Sequence, residues 1–287
     1  MCGICGFNWD ERFLIKSMMD SIVHRGPDDS GLYTSRGISL GNRRLSIIDL
    51  KTGKQPIYNE DKSMCIVFVG EIYNYLDLKP ELEKRGHVFS TESDTEVVLH
   101  AYEEYGEDCL GYLNGMWAIA IWNSNKKELF LSVDRLGIKQ LYYACVKKKF
   151  LFASEIKAIL QCDDIARELD KKAFVEYLTF RYTPTDQTIF KGIKKLLPGH
   201  YMVLSKDKIK IRKYWDIQTH GIESQSMQHH SEKILELLKD SVKKRLMSEV
   251  PLGAHLSGGL DSSIVVALMK TLMDTEVKTF SVAFDAE

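Results

Sequence analysis

Hydrophobic positions in this chain switch repeatedly between short apolar runs and helical spacing. Residues 2–9 read as a short strand, and 38–49 as a strand ending in a loop. The run Met64-Cys65-Ile66-Val67-Phe68-Val69-Gly70 is continuously apolar, as expected of a strand buried on both faces. Further strands are predicted at 116–123, 127–134, 140–146 and 149–153, and Leu197-Pro198-Gly199 opens a hairpin over 200–215. Helical spacing covers 11–22, with Phe13, Leu14, Met18, Ile22 and Val23 on the stripe, and 75–86, with Gly86 as the stop. It returns over 94–105, capped by Ser93 or Asp94 with Glu96 in the first turn, and over 155–161 and 170–180. His24-Arg25-Gly26-Pro27-Asp28-Asp29-Ser30-Gly31 reads as a loop, since Gly and Pro break both periods. Asp134 to Lys139 reads as a turn between strands.

The texture changes after residue 155. Residues 217–229, with Gln218, Ser224, Gln225, Ser226 and Gln228, form the expected linker. A helix is predicted over 230–248, capped by Ser231 and carrying the stripe Ile234, Leu235, Leu238 and Val242. A strand at 252–256, a Gly-rich turn, a helix at 264–273 and a strand at 277–284 follow. Many strands with flanking helices imply two packed sheets with helices outside; the final strand–turn–helix–strand implies a parallel pair. The expected division is 1–200, a hairpin and linker at 201–229, and a second domain from 230 to 287.

Composition is that of a globular protein: 287 residues, 44% hydrophobic, 28% charged and a net charge of −1. No global basic field points to nucleic acid or an anionic membrane, and no apolar run is long enough to span a bilayer. Asp10, Glu11 and Arg12 interrupt the N-terminus, so no export signal is expected and the cytoplasm is the expected compartment. The spacing of the six cysteines fits no zinc pattern, so reduced thiols are expected. Cys5 is expected to be structural, with Cys65, Cys109 and Cys145 buried or partly buried.

Candidate chemistry lies at two places. If Met1 is removed, Cys2 holds a thiol and a free α-amine in one residue. An α-amine titrates near roughly 7.7–8.0, so it can take the thiol proton at neutral pH. The second place is Leu256-Ser257-Gly258-Gly259-Leu260-Asp261-Ser262-Ser263, a Gly-rich turn between strand and helix. Backbone N–H groups and a helix N-terminus would converge there on an anion such as a pyrophosphate held with Mg²⁺. The pattern is neither a Walker loop nor a dinucleotide fingerprint. The sequence assigns no metal-ligand residue.

Five segments in order carry a resemblance: Met1-Cys2-Gly3-Ile4, His24 to Asp28, Arg44-Leu45-Ser46-Ile47-Ile48-Asp49, Gly70-Glu71-Ile72-Tyr73-Asn74, and Ser257 to Ser263. Together the chain resembles the glutamine-hydrolysing asparagine synthetase family of class II amidotransferases. The resemblance implies an α+β Ntn-hydrolase sandwich with four layers, αββα, followed by the truncated start of an α/β ATP-pyrophosphatase domain. It implies that Cys2 attacks the side-chain amide of glutamine. The released ammonia then aminates a β-aspartyl adenylate made from aspartate and ATP, with Mg²⁺ as activator and no tightly bound cofactor.

The resemblance also implies roles for single residues. Arg44, with the backbone of Leu45, Ser46, Ile47 and Ile48, clamps the glutamine carboxylate, and Asp94 pairs with its amine. Val69, Gly70 and Glu71 line the substrate. Leu256 and Val282 flank adenine, and Ser257 to Ser263 hold the pyrophosphate. Glutamine, aspartate and ATP are the implied partners, with a homodimer as an admissible assembly and no nucleic acid or membrane.

The chain departs from the family at Val69, where the family has Asn. That amide is one of two oxyanion donors, the other being the Gly70 N–H. Losing one donor lowers turnover by a factor on the order of 10²–10³. Gln140 and His255 stand where Pro and an apolar residue are usual. The family also continues well past residue 287, so the chain is expected to be an N-terminal portion. Three readings follow: a glutamine-dependent asparagine synthetase, a non-catalytic ligand-binding remnant, and an amidotransferase acting on another carboxylate.

The free-amine mechanism makes a first prediction. Intact-protein mass spectrometry should find the mature chain beginning at Cys2; a retained Met1 would exclude that mechanism.

Overall fold

The structure is a computed structural model that describes residues 2–206, 208–219, 221 and 225–283. Met1, Ser224 of the expected linker and the last residue of the expected final strand, Phe284, lie outside the described residues. The chain divides into two compact units, Met1–Ile217 and Gln218–Glu287.

The first unit is built on two six-stranded antiparallel sheets. One contains β1 (Gly3–Phe7), β2 (Asp29–Ser35), β3 (Ile38–Arg44), β8 (Tyr142–Val146), β9 (Lys149–Ala153) and β10 (Ile193–Lys195), in the order β10-β8-β9-β1-β3-β2. The other contains β4 (Ile57–Tyr58), β5 (Met64–Ile72), β6 (Gly115–Asn123), β7 (Glu128–Val133), β11 (His200–Ser205) and β12 (Lys208–Lys213), in the order β12-β11-β7-β6-β5-β4. Between the sheets lies a core of Ile4, Leu40, Val67, Val69, Ala120, Leu131, Phe152 and Met202.

Helices cover both outer faces. On the first sheet α1 (Arg12–Ser21) and α5 (Ile156–Ile159) bury Ile15, Met18 and Ile159 against Cys5, Phe7 and Leu151. On the second, α2 (Tyr75–Lys84), α3 (Asp94–Tyr105) and α4 (Cys109–Tyr112) bury Leu82, Val98 and Leu110 against Ile66, Phe68 and Ile119. The resulting layers are αββα, as expected. β5 shows why its sequence is continuously apolar: Cys65, Val67 and Val69 enter the inter-sheet core, while Ile66 and Phe68 pack with the helices. A further helix, α6 (Lys171–Phe180), buries only Ala173.

Several expectations need correction. The hairpin over 200–215 does not separate domains; β11 pairs with β7 from Tyr201↔Ser132 to Ser205↔Glu128, so it completes the second sheet. Asp29, Ser30 and Gly31, expected in a loop, begin β2, because pairing to β3 overrides local turn chemistry. The buried stripe of α1 is Leu14, Ile15, Met18 and Met19, continued by Ile22; Phe13 is 89% exposed and Val23 is exposed too. Ser93, not Asp94, caps α3 by accepting from the Thr95 N–H. Cys145 is exposed; Cys5, Cys65, Cys109 and Cys162 are buried.

The second unit holds α7 (Met227–Lys244), β13 (Gly253–His255), α8 (Leu260–Leu272) and β14 (Lys278–Phe280). β13 and β14 pair in parallel, as the pattern implies. Ser226, not Ser231, caps α7, and α8 begins at Leu260 rather than 264. Val242, Leu268 and Met269 form the small core. Ile234 and Leu235 of the expected stripe are exposed.

One buried carboxylate organises the turn after β7. Asp134 is 1% exposed and accepts from the N–H groups of Trp117, Leu136, Ile138 and Lys139 at 2.9–3.2 Å. Asp134→Ala would leave four donors without that acceptor. The expected loss in urea unfolding is about 3 kcal/mol or more; a change under about 1 kcal/mol would show that water replaces the carboxylate.

Candidate active site

Cys2 precedes β1, a strand paired on both sides: Gly3 to Phe7 face Arg43 to Ser39, and Cys5 to Phe7 face Ala153 to Leu151. Cys2 is therefore anchored through the strand that follows it. The motif expected to be a solvated loop supplies further anchors. Arg25 Nε donates to the Cys2 carbonyl at 2.8 Å, and Arg25 Nη1 donates to Glu155 at 3.1 Å. Asp28 accepts from the Ser46 N–H at 2.9 Å, and its own N–H donates to the Arg44 carbonyl at 3.1 Å. Gly26 passes so close to β3 that a Cβ would sit 2.4 Å from the Arg43 carbonyl carbon and oxygen.

The Leu45 N–H donates to Cys2 Sγ at 3.3 Å. Around that sulfur lies a pocket lined by Cys2, Arg44, Leu45, Ile47, Ile48, Gly70, Glu71 and Asp94. Sequence reasoning had named all eight. Two other predicted residues do not line it. Ser46 is held by Asp28, and the Val69 side chain is 1% exposed in the inter-sheet core, against which Cys2 also packs. Arg44 is buried, and its Nη2 donates to the Ile48 and Asp49 carbonyls at 2.8 and 2.7 Å. The guanidinium thus braces the loop whose backbone forms one wall. At Gly70 a Cβ would lie 2.0 Å from the Met116 carbonyl oxygen, so β6 admits only glycine there.

The predicted loop of the second unit is also formed. Leu256 N–H donates to the Phe280 carbonyl at 2.9 Å, which aligns the loop with β14. Ser257 and Ser262 hydroxyls lie 3.0 Å apart, and the Ser262 and Ser263 hydroxyls donate to the Gly259 carbonyl at 3.1 and 2.8 Å. Gly258, Gly259, Leu260 and Asp261 are exposed around the N-terminus of α8, as is Val282 beyond β14.

The Glutamine amidotransferase domain family matches residues 1–215, three quarters of the chain. This chain belongs to that family. The Asparagine synthase family matches residues 233–287. Asparagine synthetase [glutamine-hydrolyzing] 1 of Bacillus subtilis is 39% identical over 297 residues, covering 100% of this chain and 46% of that protein. Amidase chyE of Penicillium rubens is 33% identical over 328 residues, covering 100% of this chain and 47% of that one. The chain thus spans about half the length of the curated relatives it matches.

Among solved structures, the Bacillus subtilis glutamine phosphoribosylpyrophosphate amidotransferase complexed with ADP and GMP aligns at TM-score 0.55 and 16% identity. It covers 98% of this chain and 65% of that one. A regulatory enzyme of purine biosynthesis aligns at TM-score 0.57 and 17% identity, with the same coverage. These likenesses show the fold, that of the class II amidotransferase Ntn hydrolases.

The pocket around Cys2 is also lined by Gln55, Phe68, Ser93 and Thr95, which the sequence does not assign to it. Gln55 accepts from the Phe68 N–H at 2.7 Å and donates to Thr95 Oγ1 at 3.4 Å, tying the floor of the pocket to α3. Nothing in the sequence around Gln55 signals this, because its partners are 13 and 40 residues away. Lys139 is brought near Glu71 by the Asp134 turn, and burial pulls its pKa below the usual lysine range while Glu71 opposes the shift.

The carboxylates of the pocket are tuned upward. Burial and the neighbouring Asp94 raise Glu71 to about 8, with Lys139 opposing. Burial raises Asp94 to about 6, against the Ile72 N–H, which donates to it at 2.9 Å. The Cys2 thiol is raised by burial, and the Leu45 amide opposes the shift. Cys2 is therefore a thiol that needs a proton acceptor, not a preformed thiolate.

For Glu71 the folded pKa lies above the ordinary 4.5. Its contribution is complete below about 4.5 and is lost as pH rises through about 8. The urea midpoint should therefore fall between pH 5 and pH 8, and Glu71→Gln should flatten that fall. Parallel profiles for the two proteins would show that Glu71 is ionised throughout.

Proposed function

We propose that the first unit hydrolyses glutamine to glutamate and ammonia. The observation that carries this reading is the convergence of Cys2 Sγ, the Leu45 N–H, Arg44, Gly70, Glu71 and Asp94 on one pocket. The amino-acid end of glutamine carries one carboxylate and one ammonium. Arg44 and the 45–48 backbone suit the carboxylate. Asp94 and Glu71 suit the ammonium, whose charge would favour their ionised forms. The side-chain amide then extends toward Cys2. The thiol adds to the amide carbon as its proton passes to the α-amine. That proton returns to the leaving nitrogen, ammonia departs, and water cleaves the thioester.

The tetrahedral oxygen needs donors. The Gly70 N–H is one. Val69 offers none, so stabilisation of the oxyanion is weakened while the grip on the amino-acid end is intact. Such a loss is confined to the transition state and lowers kcat more than it changes KM.

For the second unit the reading is binding of ATP as a substrate, with Leu256 and Val282 beside adenine and Ser257 to Ser263 around the pyrophosphate. The exposed N-terminus of α8 and the hydroxyl-lined turn support it. Mg²⁺ arriving with ATP would find Asp261 as the carboxylate of this loop. Aspartate is the acceptor in this reading, and ammonia displaces AMP from its adenylate. A relative of comparable coverage is named Amidase chyE rather than an asparagine synthetase, which favours a second reading in which the acceptor is a carboxylate other than aspartate.

Glutaminase kinetics test the proposal. KM for glutamine should be close to that of Val69→Asn, and kcat should rise roughly 10²–10³-fold in that variant. Cys2→Ser should abolish turnover. Turnover that Val69→Asn does not improve would show that another group donates to the oxyanion. Turnover that survives Cys2→Ser would remove the proposal altogether.

A further inference from the structure

On the helix-covered side of the second sheet, three segments bring two imidazoles and two carboxylates to one point. Glu60 comes from the turn after β4, His87 from the segment after α2, and His100 and Glu103 from one face of α3. One ligand-capable atom of each lies within 4.8 Å of all the others. His100 Nδ1 is 3.4 Å from Glu103 Oε2 and 3.8 Å from Glu60 Oε2. His87 Nδ1 is 3.5 Å from Glu60 Oε1 and 3.7 Å from Glu103 Oε2. Bonds of roughly 2.0–2.2 Å to a tetrahedral centre would space ligand atoms about 3.3–3.6 Å apart.

A second set of contacts points the same way. The other ring nitrogen of each histidine faces an outer carboxylate: His100 Nε2 lies 3.7 Å from Glu96, and His87 Nε2 lies 3.5 Å from Glu104. Glu96 is fixed by the N–H and hydroxyl groups of Ser90 and Thr91, and Glu104 by Arg85 at 2.8 Å. The inner carboxylates are steered as well. Glu103 Oε1 accepts from Asn59 at 2.9 Å, and Glu60 Oε1 accepts from the Val88 N–H at 2.9 Å.

His100 is fully buried, and its Nε2 has no partner at hydrogen-bond distance. Protons on the outer nitrogens would turn the inner lone pairs toward carboxylate oxygens. That arrangement repels unless a positive charge sits between them. Carboxylate, histidine and metal in line is the usual way such charge is held.

We propose that Glu60, His87, His100 and Glu103 bind one divalent cation of the zinc class. Two imidazole nitrogens and two carboxylate oxygens gathered within 4.8 Å suit Zn²⁺ or Co²⁺ better than Mg²⁺ or Ca²⁺. The ion would act as a clasp, joining α3 to the two segments that flank it. Asp94, the first residue of α3, lines the Cys2 pocket, so the clasp would steady one wall of the pocket without touching substrate.

The test uses chelator-stripped protein carrying Cys2→Ser and Cys145→Ser, which removes the partly and fully exposed thiols. Co²⁺ titration should produce the visible absorption of a tetrahedral site, displaced by Zn²⁺ at one equivalent per chain, and Zn²⁺ should raise the melting temperature. Glu60→Gln and His87→Ala, both on loops, should each weaken binding at least about tenfold, and Glu96→Gln about 10–100-fold. If the His87 variant fails to fold, the Glu60 variant carries the test. Absence of a tetrahedral Co²⁺ spectrum, or binding unchanged in the Glu60 and His87 variants, would overturn the proposal and leave a proton-held network of histidines and glutamates.

Discussion

The structure depends on holding the segment ahead of its first strand still. Such segments fray unless they are tied into packed structure, and Cys2, the candidate nucleophile, lies there. The solution is a first strand inside a sheet, not at its edge. β1 is hydrogen-bonded to β3 on one side and β9 on the other, and all five of its residues are buried. Ile4 enters the inter-sheet core, while Cys5 and Phe7 pack beneath α1. Arg25 adds a charged tether to the Cys2 carbonyl, and Glu155 holds Arg25 in turn. The sulfur is thus positioned by strands that are far apart in sequence, β3 and β9.

The remaining walls rely on carboxylates and amides that brace backbone. Asp134 gathers four N–H groups and sets the turn that carries Lys139 toward the pocket. Asp28 fixes Ser46 opposite Cys2, and Gln55 links β5 to α3. Asp94 accepts from the Ile72 N–H and so joins the start of α3 to the end of β5. Asp134, Gln55 and Asp94 are buried polar groups with defined partners, which is the condition under which burial of such groups is tolerated. The pocket gains rigidity before any substrate enters. Burial also raises its carboxyls, Glu71 and Asp94, toward neutrality.

The residues that touch the pocket were mostly legible in the chain, because short ordered motifs carry them. Cys2, Arg44, Gly70, Glu71 and Asp94 converge as the motifs imply. The Val69 substitution was legible too, and the structure adds that this side chain lies in the inter-sheet core rather than on the pocket surface. Groups that act through backbone were not legible. Gln55, Lys139 and Arg25 sit in segments whose local pattern reads as loop or turn, and their partners are far away in sequence. The histidine–glutamate cluster was invisible for the same reason: Glu60 and His87 lie in separate loops, and only the packing of α3 brings them to His100 and Glu103.

Periodicity in the sequence determined the kinds of element and their order, since alternation and helical spacing are local properties of a chain that must bury one face. It determined the parallel pair of the second unit and the continuous burial of β5. It did not determine which strands pair. The first three residues of β2 looked like turn sequence and became strand because β3 pairs with them, and the hairpin at 200–213 joined β7 instead of standing between domains. Pairing and burial depend on residues far apart in the chain, so tertiary structure decided those boundaries, the facing of α1, and the charge state of the carboxyls around Cys2.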